Sequence, residues 1–261
     1  MKTIVVANQK GGVGKTTLAR HIAFYGQRLK LKTLCIDFDP QGDFSKSLIN
    51  LQANAGDTSK HLLASHLFNS KGEGLLPKPC SNNLQLISAD PGMLKIERGN
   101  LQNAIDAGKQ SLQSLSSSYD LCVIDVAPGI SNLLVTALAI ADYAISPCKP
   151  DRDAIDGLLA FFLNVRKVQE EAINADLASL GVLLNQVNKS RAFHLDIEQQ
   201  MRAAWGDSVL PAVLYERAAI DTAKDRPVWL TERGESTSMA AKEMLAACAC
   251  IFNQMNIKTE E

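Results

Sequence analysis

A glycine-rich stretch near the start of the chain, VVANQKGGVGKTT at residues 5–17, has the residue types of a phosphate-binding loop. Gly11, Gly12 and Gly14 let backbone N–H groups converge on phosphate oxygens without side chains in the way. The stretch follows a strand-like run and precedes a helical one, so the positive end of a helix would face the bound anion. Lys15 would then contact the β- and γ-phosphates of a nucleotide.

The other positions of this loop extend the same chemistry and raise one question. The Thr16 hydroxyl is the expected Mg²⁺ ligand, Thr17 is expected to cap the helix or contact the α-phosphate, and Val13 is expected to contribute to nucleotide binding. The pattern G-x-x-x-x-G-K-[ST] requires a glycine at position 9, but the chain has Gln9 there. The loop instead carries a second cation, Lys10, beside the lysine that the pattern already contains.

Three acidic residues lie at or near the ends of predicted strands, where a magnesium-dependent phosphate site needs a carboxylate. Asp125 closes the apolar run LCVID, in which an unpaired acid would be unfavourable, so it is expected to hold the water shell of the magnesium. Asp37 and Asp39 in CIDFDPQGD share one strand face by alternation. One of the two can orient or activate the attacking water, and Asp37 is a second candidate for the magnesium water shell. The alternative is that all three acids only cap helices or turns.

The order of apolar runs predicts an α/β fold. Continuous β-branched runs alternate with longer helical ones, which indicates a mostly parallel, twisted sheet with helices on both faces. Strands are predicted at 3–8, 32–39, 84–88, 119–126, 143–147 and 178–187, and helices at 15–29, from about 89 through 115, at 153–175 and at 236–253. We therefore predict a single domain over 1–261, with a surface insertion at about 52–83 and no separate N-terminal helix-turn-helix domain.

Composition limits the classes of function. At 261 residues, with 46% hydrophobic and 21% charged residues, the chain has the make-up of an ordinary soluble globular protein. No apolar run is long enough to span a bilayer and the N-terminus is not a signal peptide, so a cytoplasmic location is expected. The formal net charge of −1 gives no overall signature of nucleic-acid binding, so any such surface would be a local patch.

The six cysteines are expected to be reduced and packed in the core. Cys248 and Cys250 form a C-x-C in LAACACIFN, but helical spacing points their side chains in different directions. A metal or cluster site would require a dimer that brings two copies of this segment together.

Several motifs together resemble the ParA/MinD family of deviant-Walker P-loop ATPases. KGGVGKTT, DFDPQGD, YDLCVIDVAPG and SPCKPDRDAIDGL follow one another in the order of that family. ISADPGMLKIER and AAIDTAKDRPV resemble the plasmid and chromosome partition branch. The resemblance runs nearly end to end. It implies a single P-loop NTPase domain that hydrolyses ATP to ADP and phosphate with Mg²⁺ as cofactor.

The resemblance also gives the second lysine a role. In that family the lysine at the position of Lys10 crosses a dimer interface and contacts phosphate on the partner's nucleotide. Such a cation would couple hydrolysis to association in a two-fold, ATP-containing homodimer, much as an arginine finger does. The resemblance further assigns Asp39 to the attacking water. It places Thr16 on magnesium, Asp125 in the magnesium water shell, and the nucleotide base in a pocket near Asn185.

The chain departs from the family pattern at three places. Leu214-Tyr215 stand where the family often has an Ile-Pro step, so either Tyr215 stacks near the adenine or the base contact comes from elsewhere. Asp43 replaces a common asparagine or alanine, and Ala127 replaces a common proline. None of these changes removes a phosphate-binding or metal-binding group.

Three functions fit such a fold, because a fold and an ATP site do not fix a function. In a partition ATPase, ATP-bound dimers bind DNA without sequence preference, and a centromere-binding or adaptor protein stimulates hydrolysis. A MinD-like membrane-positioning ATPase needs a basic amphipathic C-terminal helix, whereas this chain ends in NIKTEE. A cluster-carrier ATPase needs cysteines presented at a dimer axis, and Cys122 and Cys148 lie in unsuitable contexts.

We predict the partition function, with a plasmid, a chromosome or a protein assembly as cargo, nucleoid association in the ATP state, and no membrane partner. The DNA-binding surface would come from basic residues between 189 and 242. Arg191, Arg217 and Arg226 are the first candidates, by analogy with the C-terminal basic patch of partition ATPases. Acids are equally numerous in this segment, so the alternative is a surface of solvated ion pairs.

Overall fold

The computed structural model describes residues 1–49, 60–151, 153–223, 226–231 and 235–259. Their strands are β1 (Lys2–Val6), β2 (Thr33–Asp37), β3 (Lys78–Ser81), β4 (Leu84–Ile87), β5 (Leu121–Asp125), β6 (Tyr143–Cys148), β7 (Ala178–Val187) and β8 (Val209–Tyr215). They form an eight-stranded sheet in the order β3-β4-β2-β5-β1-β6-β7-β8. Neighbouring strands are parallel except for the antiparallel pair of β3 and β4. This confirms the predicted mostly parallel α/β sheet.

The helices connect these strands over both faces of the sheet. They are α1 (Lys15–Arg28), α2 (Asp43–Ile49), α3 (Met93–Glu97), α4 (Leu101–Leu115), α5 (Asn132–Ile140), α6 (Ala154–Glu170), α7 (Ala192–Trp205), α8 (Ala218–Thr222) and α9 (Glu235–Gln254). Short 3-10 turns occupy Ala64–Phe68, Ser70–Gly72, Gly206–Ser208 and Val228–Leu230.

The sheet separates two apolar layers because side chains of a strand alternate between its faces. Ile4 and Val6 of β1 belong to the layer formed with α1, α2 and α9. Val5, between them, belongs to the layer formed with α4, α5 and α6. A smaller cluster packs α7 against β7 and β8. The central strands are therefore buried on both faces, as their continuous apolar runs predict.

The parallel register brings the candidate functional residues to one edge of the sheet. Val6, the last residue of β1, lies opposite Asp125, the last residue of β5. Asp125 in turn lies opposite Asp37, the last residue of β2. The loop of residues 8–14 leaves β1 at this level, so the phosphate loop and two of the three predicted acids meet at the carboxyl ends of adjacent strands.

The sequence pattern did not predict the two edge strands. β8 contains Pro211 and β3 contains Pro79, and proline removes a hydrogen-bond donor that an interior strand would need. Both strands lie at the ends of the sheet, where this loss is tolerated. The helices α2, α5 and α7 were also not predicted, because their short or mixed patterns give little periodic signal.

The expected surface insertion at about 52–83 needs a correction for its described part. Residues 50–59 lie outside the described residues. From residue 60 onward the segment packs into the fold: Leu62, Ala64 and Leu67 are buried, and β3 extends the sheet. The Gly, Pro and Asn residues of this segment made its sequence resemble a loop, but its apolar side chains cover one face of the sheet edge.

The helix predicted at 153–175 ends earlier, at Glu170. Ala172 has a left-handed φ of 55°, which stops the helix. The Asn174 side-chain Nδ2 then donates to the carbonyl oxygens of Leu138 at 3.0 Å and Ala141 at 2.7 Å, which holds the following turn against the end of α5.

Candidate functional site

The phosphate loop leads directly from β1 into α1. Gly14 caps the helix with a φ of 90°, and Gly12 has a φ of 73°. Residues other than glycine rarely adopt such backbone angles. A Cβ built on Gly11 or Gly12 would meet no atom within 4 Å, so space remains beside the loop backbone. The glycines therefore give both the required backbone conformation and room for a ligand to approach it.

Lys15 is buried at the start of α1. The residue is only 7% exposed, and its Nζ donates to the carbonyl oxygen of Lys10 at 3.0 Å. Burial lowers the pKa of this ammonium, while the negative charges of Asp125 and Asp39 oppose that shift. A cation is thus held inside the loop with two carboxylates near it, as expected for a residue that contacts nucleotide phosphates.

Thr16 and Asp125 are joined across the sheet edge. The Thr16 hydroxyl Oγ1 donates to Asp125 Oδ2 at 2.6 Å. The other oxygen, Oδ1, is buried and has no hydrogen-bond partner among the described residues. Burial holds the pKa of Asp125 well above its usual range, and the nearby charge of Asp37 adds to this shift. A buried carboxylate oxygen without a donor, beside a threonine hydroxyl, fits the water shell of a divalent cation.

Asp37 anchors the loop that carries Asp39. Its Oδ2 accepts from the Ser45 backbone N–H at 2.8 Å and from the Ser45 hydroxyl at 2.7 Å, and its Oδ1 accepts from the Asp39 N–H at 3.0 Å. Burial raises the pKa of Asp37 to about 6, against these hydrogen bonds. Both oxygens are therefore engaged by neighbouring protein groups, which position Asp39 and the start of α2.

Asp39 itself faces the site from a half-buried position. Its Oδ1 accepts from the Gln41 backbone N–H at 2.9 Å. Its charge is close enough to Lys15 to affect the pKa of that ammonium. A carboxylate near Lys15 can orient a water molecule beside bound phosphates, or accept a proton from that water.

Lys10 does not point into the loop of its own chain. Its Nζ contacts Asp151 Oδ1 at 2.7 Å and Asp153 Oδ2 at 3.2 Å. Hydrogen bonding to Asp151 raises the pKa of the ammonium. Sequence reasoning missed these two acids, although both follow the end of β6 in the motif SPCKPDRDAIDGL, where strand-end carboxylates could have been expected.

Val13 and Thr17 belong to the supporting structure of the loop. Val13 is buried. The Thr17 carbonyl oxygen accepts from Nδ1–H of the fully buried His21 at 2.7 Å, and Nε2 of the same ring accepts from the Val228 N–H at 3.2 Å. His21 was not predicted, and it connects the first turn of α1 with the Val228–Leu230 turn.

Asn185 lies against the phosphate loop near the end of β7. Its Nδ2 donates to the carbonyl oxygen of Val13 at 2.8 Å. The next residue, Gln186, donates from Nε2 to the carbonyl oxygen of Gly12 at 3.0 Å. Asn185 thus supports the loop, whereas the resemblance placed it near the nucleotide base. Gln186 was missed, because nothing in its sequence neighbourhood signals a long-range contact.

Tyr215 ends β8, and its ring is already partly covered. The Lys189 ammonium lies over the ring at 3.9 Å from its centroid, and the Arg217 guanidinium lies 6.0 Å from it. A cation over the aromatic face is an attractive arrangement. A base that stacked on this face of Tyr215 would therefore have to displace Lys189.

The three candidate DNA arginines have different surroundings. Arg191 precedes α7 and is exposed, and the described residues place no ion pair on it. Arg217 binds Glu243 with two contacts, Nη2 to Oε1 at 2.6 Å and Nε to Oε2 at 3.2 Å. Arg226 is exposed and directly follows residues 224–225, which lie outside the described part.

The described residues give no support to a metal cluster. They contain no group of three or more His, Cys, Asp or Glu side chains placed to hold a metal ion. Burial raises the pKa of the Cys80 thiol and the Cys148 thiol to about 12, so neither is a ready thiolate ligand. The described helices also include none with the length and apolarity needed to cross a bilayer.

Known proteins resemble this chain over most of its length. A family model described as an AAA domain matches residues 1–179. Protein IncC from Escherichia coli is 32% identical over 267 residues, which cover 98% of this chain and 71% of IncC. The chromosome-partitioning ATPase Soj from Thermus thermophilus is 32% identical over 218 residues, which cover 82% of this chain and 81% of Soj.

A solved structure supports the same assignment at the level of the fold. The ATP complex of Cyanothece McdA has a TM-score of 0.82 at 18% identity, with 100% of this chain and 98% of McdA covered. From its matching domain, its curated relatives and its phosphate loop with the second lysine, the chain belongs to the ParA/MinD family of deviant-Walker P-loop ATPases, in the partition branch.

Proposed function

We propose that the protein is a Mg²⁺-dependent partition ATPase that binds ATP as a two-fold homodimer and binds DNA without sequence preference in that state. Hydrolysis to ADP and phosphate would end this state. The observation that carries the proposal is the arrangement of Lys15, Thr16 and Asp125 at the strand ends, with a buried carboxylate oxygen left for a hydrated cation. The names of Soj and ParA, both chromosome-partitioning proteins, favour partition over other uses of an ATP site.

The phosphate site would hold ATP through the loop glycines and Lys15. Backbone N–H groups of Gly11, Gly12, Val13 and Gly14, together with the start of α1, would face the phosphates. The Thr16 hydroxyl would bind the magnesium, and Asp125 would hold its water shell. When bound, magnesium would neutralise charge that develops on the β- and γ-phosphate oxygens.

Asp39 is the group that we assign to the attacking water. Its negative charge opposes the lowering of the Lys15 pKa, and its backbone N–H donates to the Asp37 carboxylate. Asp37 therefore contributes by fixing the position of Asp39, with the magnesium water shell as a further role. Thr17 would contact the α-phosphate, and Tyr215 with Asn185 would border the base, as long as Lys189 moves away from the ring.

Lys10 is assigned to the phosphates of the partner's nucleotide. In one chain its ammonium is bound by Asp151 and Asp153, outside its own loop. Asp153 is exposed, and the Lys10 side chain retains 30% of its exposure, so this ion pair is screened by solvent and can be exchanged for a phosphate contact. Dimer formation and transfer of Lys10 to the partner's phosphates would then be coupled.

The dimer would bind the DNA backbone through arginines outside the phosphate loop. Arg191 is the strongest candidate for a DNA-backbone contact, since it is exposed and the described residues leave it without an ion pair. Arg226 and, after release from Glu243, Arg217 would extend the surface. A centromere-binding or adaptor protein would stimulate hydrolysis, and the ATP-bound protein would associate with the nucleoid in the cytoplasm.

The two alternative functions receive less support. A membrane-binding helix needs a free apolar face, but Met244, Ala247 and Ile251 of α9 are buried in the core. A cluster carrier needs accessible thiols, and Cys122 and Cys248 are fully buried.

The deciding experiment measures binding of the protein to a random-sequence DNA duplex with ATP, ADP or no nucleotide, at two salt concentrations. We expect tight binding with ATP only, and an affinity that falls steeply with salt because phosphate contacts release counterions. A normal ATP-dependent dimer without DNA binding would keep the ATPase but refute the DNA-based mechanism. Failure to bind ATP would refute the whole proposal.

A further inference from the structure

The end of β7 holds the phosphate loop through two consecutive side-chain amides. Asn185 Nδ2 donates to the carbonyl oxygen of Val13 at 2.8 Å, and Gln186 Nε2 donates to that of Gly12 at 3.0 Å. In a regular strand, successive side chains point to opposite faces of the sheet, so two neighbours would not both reach one loop. The strand must therefore depart from regular geometry at this point.

That departure lies at Gln186. Its φ of 55° is in the left-handed region, and the register between β7 and β8 shifts between Leu184 and Val187. A residue other than glycine or asparagine adopts this conformation at an energetic cost that surrounding contacts must offset. Asn185 Oδ1 also accepts from the Gln186 N–H at 3.0 Å, which fixes the two amides relative to each other.

Peptide planarity shows what the two bonds do to the loop. The C=O and N–H groups of a trans peptide point in opposite directions. A bond that directs the Gly12 carbonyl toward Gln186 therefore turns the Val13 N–H the other way. In the same manner, the bond from Asn185 to the Val13 carbonyl turns the Gly14 N–H. The two amides thus set the direction of two loop donors before any phosphate arrives.

We propose that Gln186 is a positioning residue for nucleotide binding, because its amide keeps the phosphate loop in the conformation that receives phosphate. This inference rests on the proposed function, and it assigns Gln186 no contact with the nucleotide. Asn185 is less suited to a test: a Cβ on Gly14 would lie 2.2 Å from its Nδ2, so the two are in close packing contact. Gln186 is half-buried, so its amide can be removed with less disturbance.

The test compares wild type with Gln186→Met and Gln186→Gly. Methionine keeps the length of the side chain without the donor, and glycine also relieves the left-handed φ. The two measurements are stopped-flow binding of fluorescently labelled ADP with Mg²⁺, and the melting temperature without nucleotide. We expect both variants to bind ADP about tenfold more weakly, mainly through faster dissociation. The melting temperature of the glycine variant should stay at or above that of wild type.

A matched control separates positioning from simple stabilisation. Gln169 Nε2 donates to the carbonyl oxygen of Leu177 at 2.6 Å, just before the start of β7, whereas Gln186 lies near the other end of that strand. Gln169→Ala should lower the melting temperature and leave ADP dissociation unchanged. Unchanged ADP binding in both Gln186 variants would overturn the inference, as would a parallel loss of stability and affinity in the glycine variant. If wild type itself binds no ADP, the proposed function fails as well, so the two failures are distinguishable.

Discussion

Charged groups of the phosphate loop differ in burial and pairing from the three candidate DNA-binding arginines, Arg191, Arg217 and Arg226. At the loop, Lys15 and Asp125 are buried, and each has a hydrogen-bond partner within the chain. On the other surface, Arg191 and Arg226 are exposed, while Arg217 is bound to Glu243. Buried charges cost much free energy unless they are held in place, whereas exposed ones cost little. One chain therefore already holds the phosphate-loop residues in place, whereas one of the three candidate DNA-binding arginines must first leave its ion pair.

Lys15→Ala should give the largest effect, because it removes the buried cation from the preorganised region. We expect nucleotide affinity to fall by at least about 100-fold, since a charge-assisted contact to phosphate is lost and two nearby carboxylates are left without a counter-charge. Isothermal calorimetry with ATP and Mg²⁺ measures this. Lys46→Ala is the control, because Lys46 is an exposed lysine that contacts the carbonyl oxygen of Gln41 and the carboxylate of Asp43. Similar affinities for both variants would refute the loop assignment.

Lys10→Ala tests whether ATP bound at the phosphate loop drives the dimer formation on which DNA binding by the arginines would depend. ATP binding should be retained within a few-fold, while turnover should fall about 1,000-fold or more, as for loss of an arginine finger. Light scattering with ATP should show the loss of the dimer. Asp151→Asn releases the same lysine without removing it, so it should leave the ATP-dependent dimer intact. An unaltered dimer in Lys10→Ala would contradict the trans role.

The arginines should divide into two classes. Arg191→Ala should weaken binding to a random DNA duplex about tenfold and reduce the dependence of log affinity on log salt by about one. Arg217→Ala should also lower the free energy of unfolding by about 1 kcal/mol, because it leaves the half-buried Glu243 without its partner. Fluorescence anisotropy and urea unfolding measure the two effects. If Arg217→Ala affects only DNA binding, this distinction between the arginines is wrong.

The last effect is confined to pH values below about 6.5 and concerns His21, which hydrogen-bonds the first turn of α1. Burial lowers its pKa to about 3, so the unfolded chain binds a proton below about pH 6.5 that the folded chain does not. Unfolding free energy should therefore rise with pH from about 3 to 6.5, with a contribution of up to about 1.4 kcal/mol per pH unit. His21→Asn should flatten this slope while keeping a donor and an acceptor. Urea unfolding at pH 5 and pH 7 measures the difference, and equal slopes would contradict it.

Local patterns predicted residues that the structure brings together at the strand ends, because the candidate phosphate loop is a contiguous segment. Glycines at fixed spacing, a G-K-T ending and acids after apolar runs all act within one strand-loop unit. The same logic predicted most central strands, since burial on both faces leaves a continuous apolar run. The edge strand β8 was missed because Pro211 argues against a strand unless its place in the sheet is known.

The contacts of Lys10 and Gln186 could not be predicted in the same way. Asp151 lies 141 residues from Lys10, and Gln186 lies 174 residues from Gly12. Their meeting depends on strand order and on a single left-handed backbone angle, neither of which has a local signature. Residues that support a site from neighbouring strands thus require the fold, whereas the residues proposed to contact the ligand follow from the motif.

The prolines at the two sheet edges have a consequence for how copies of this protein can assemble. Pro79 interrupts the donors of β3, and Pro211 interrupts those of β8. Each proline removes one backbone donor from an edge strand, so it disfavours the addition of a strand from a second chain, the route by which β-rich proteins grow into fibres. Side-chain surfaces are then favoured over backbone pairing as the contacts between copies of this chain.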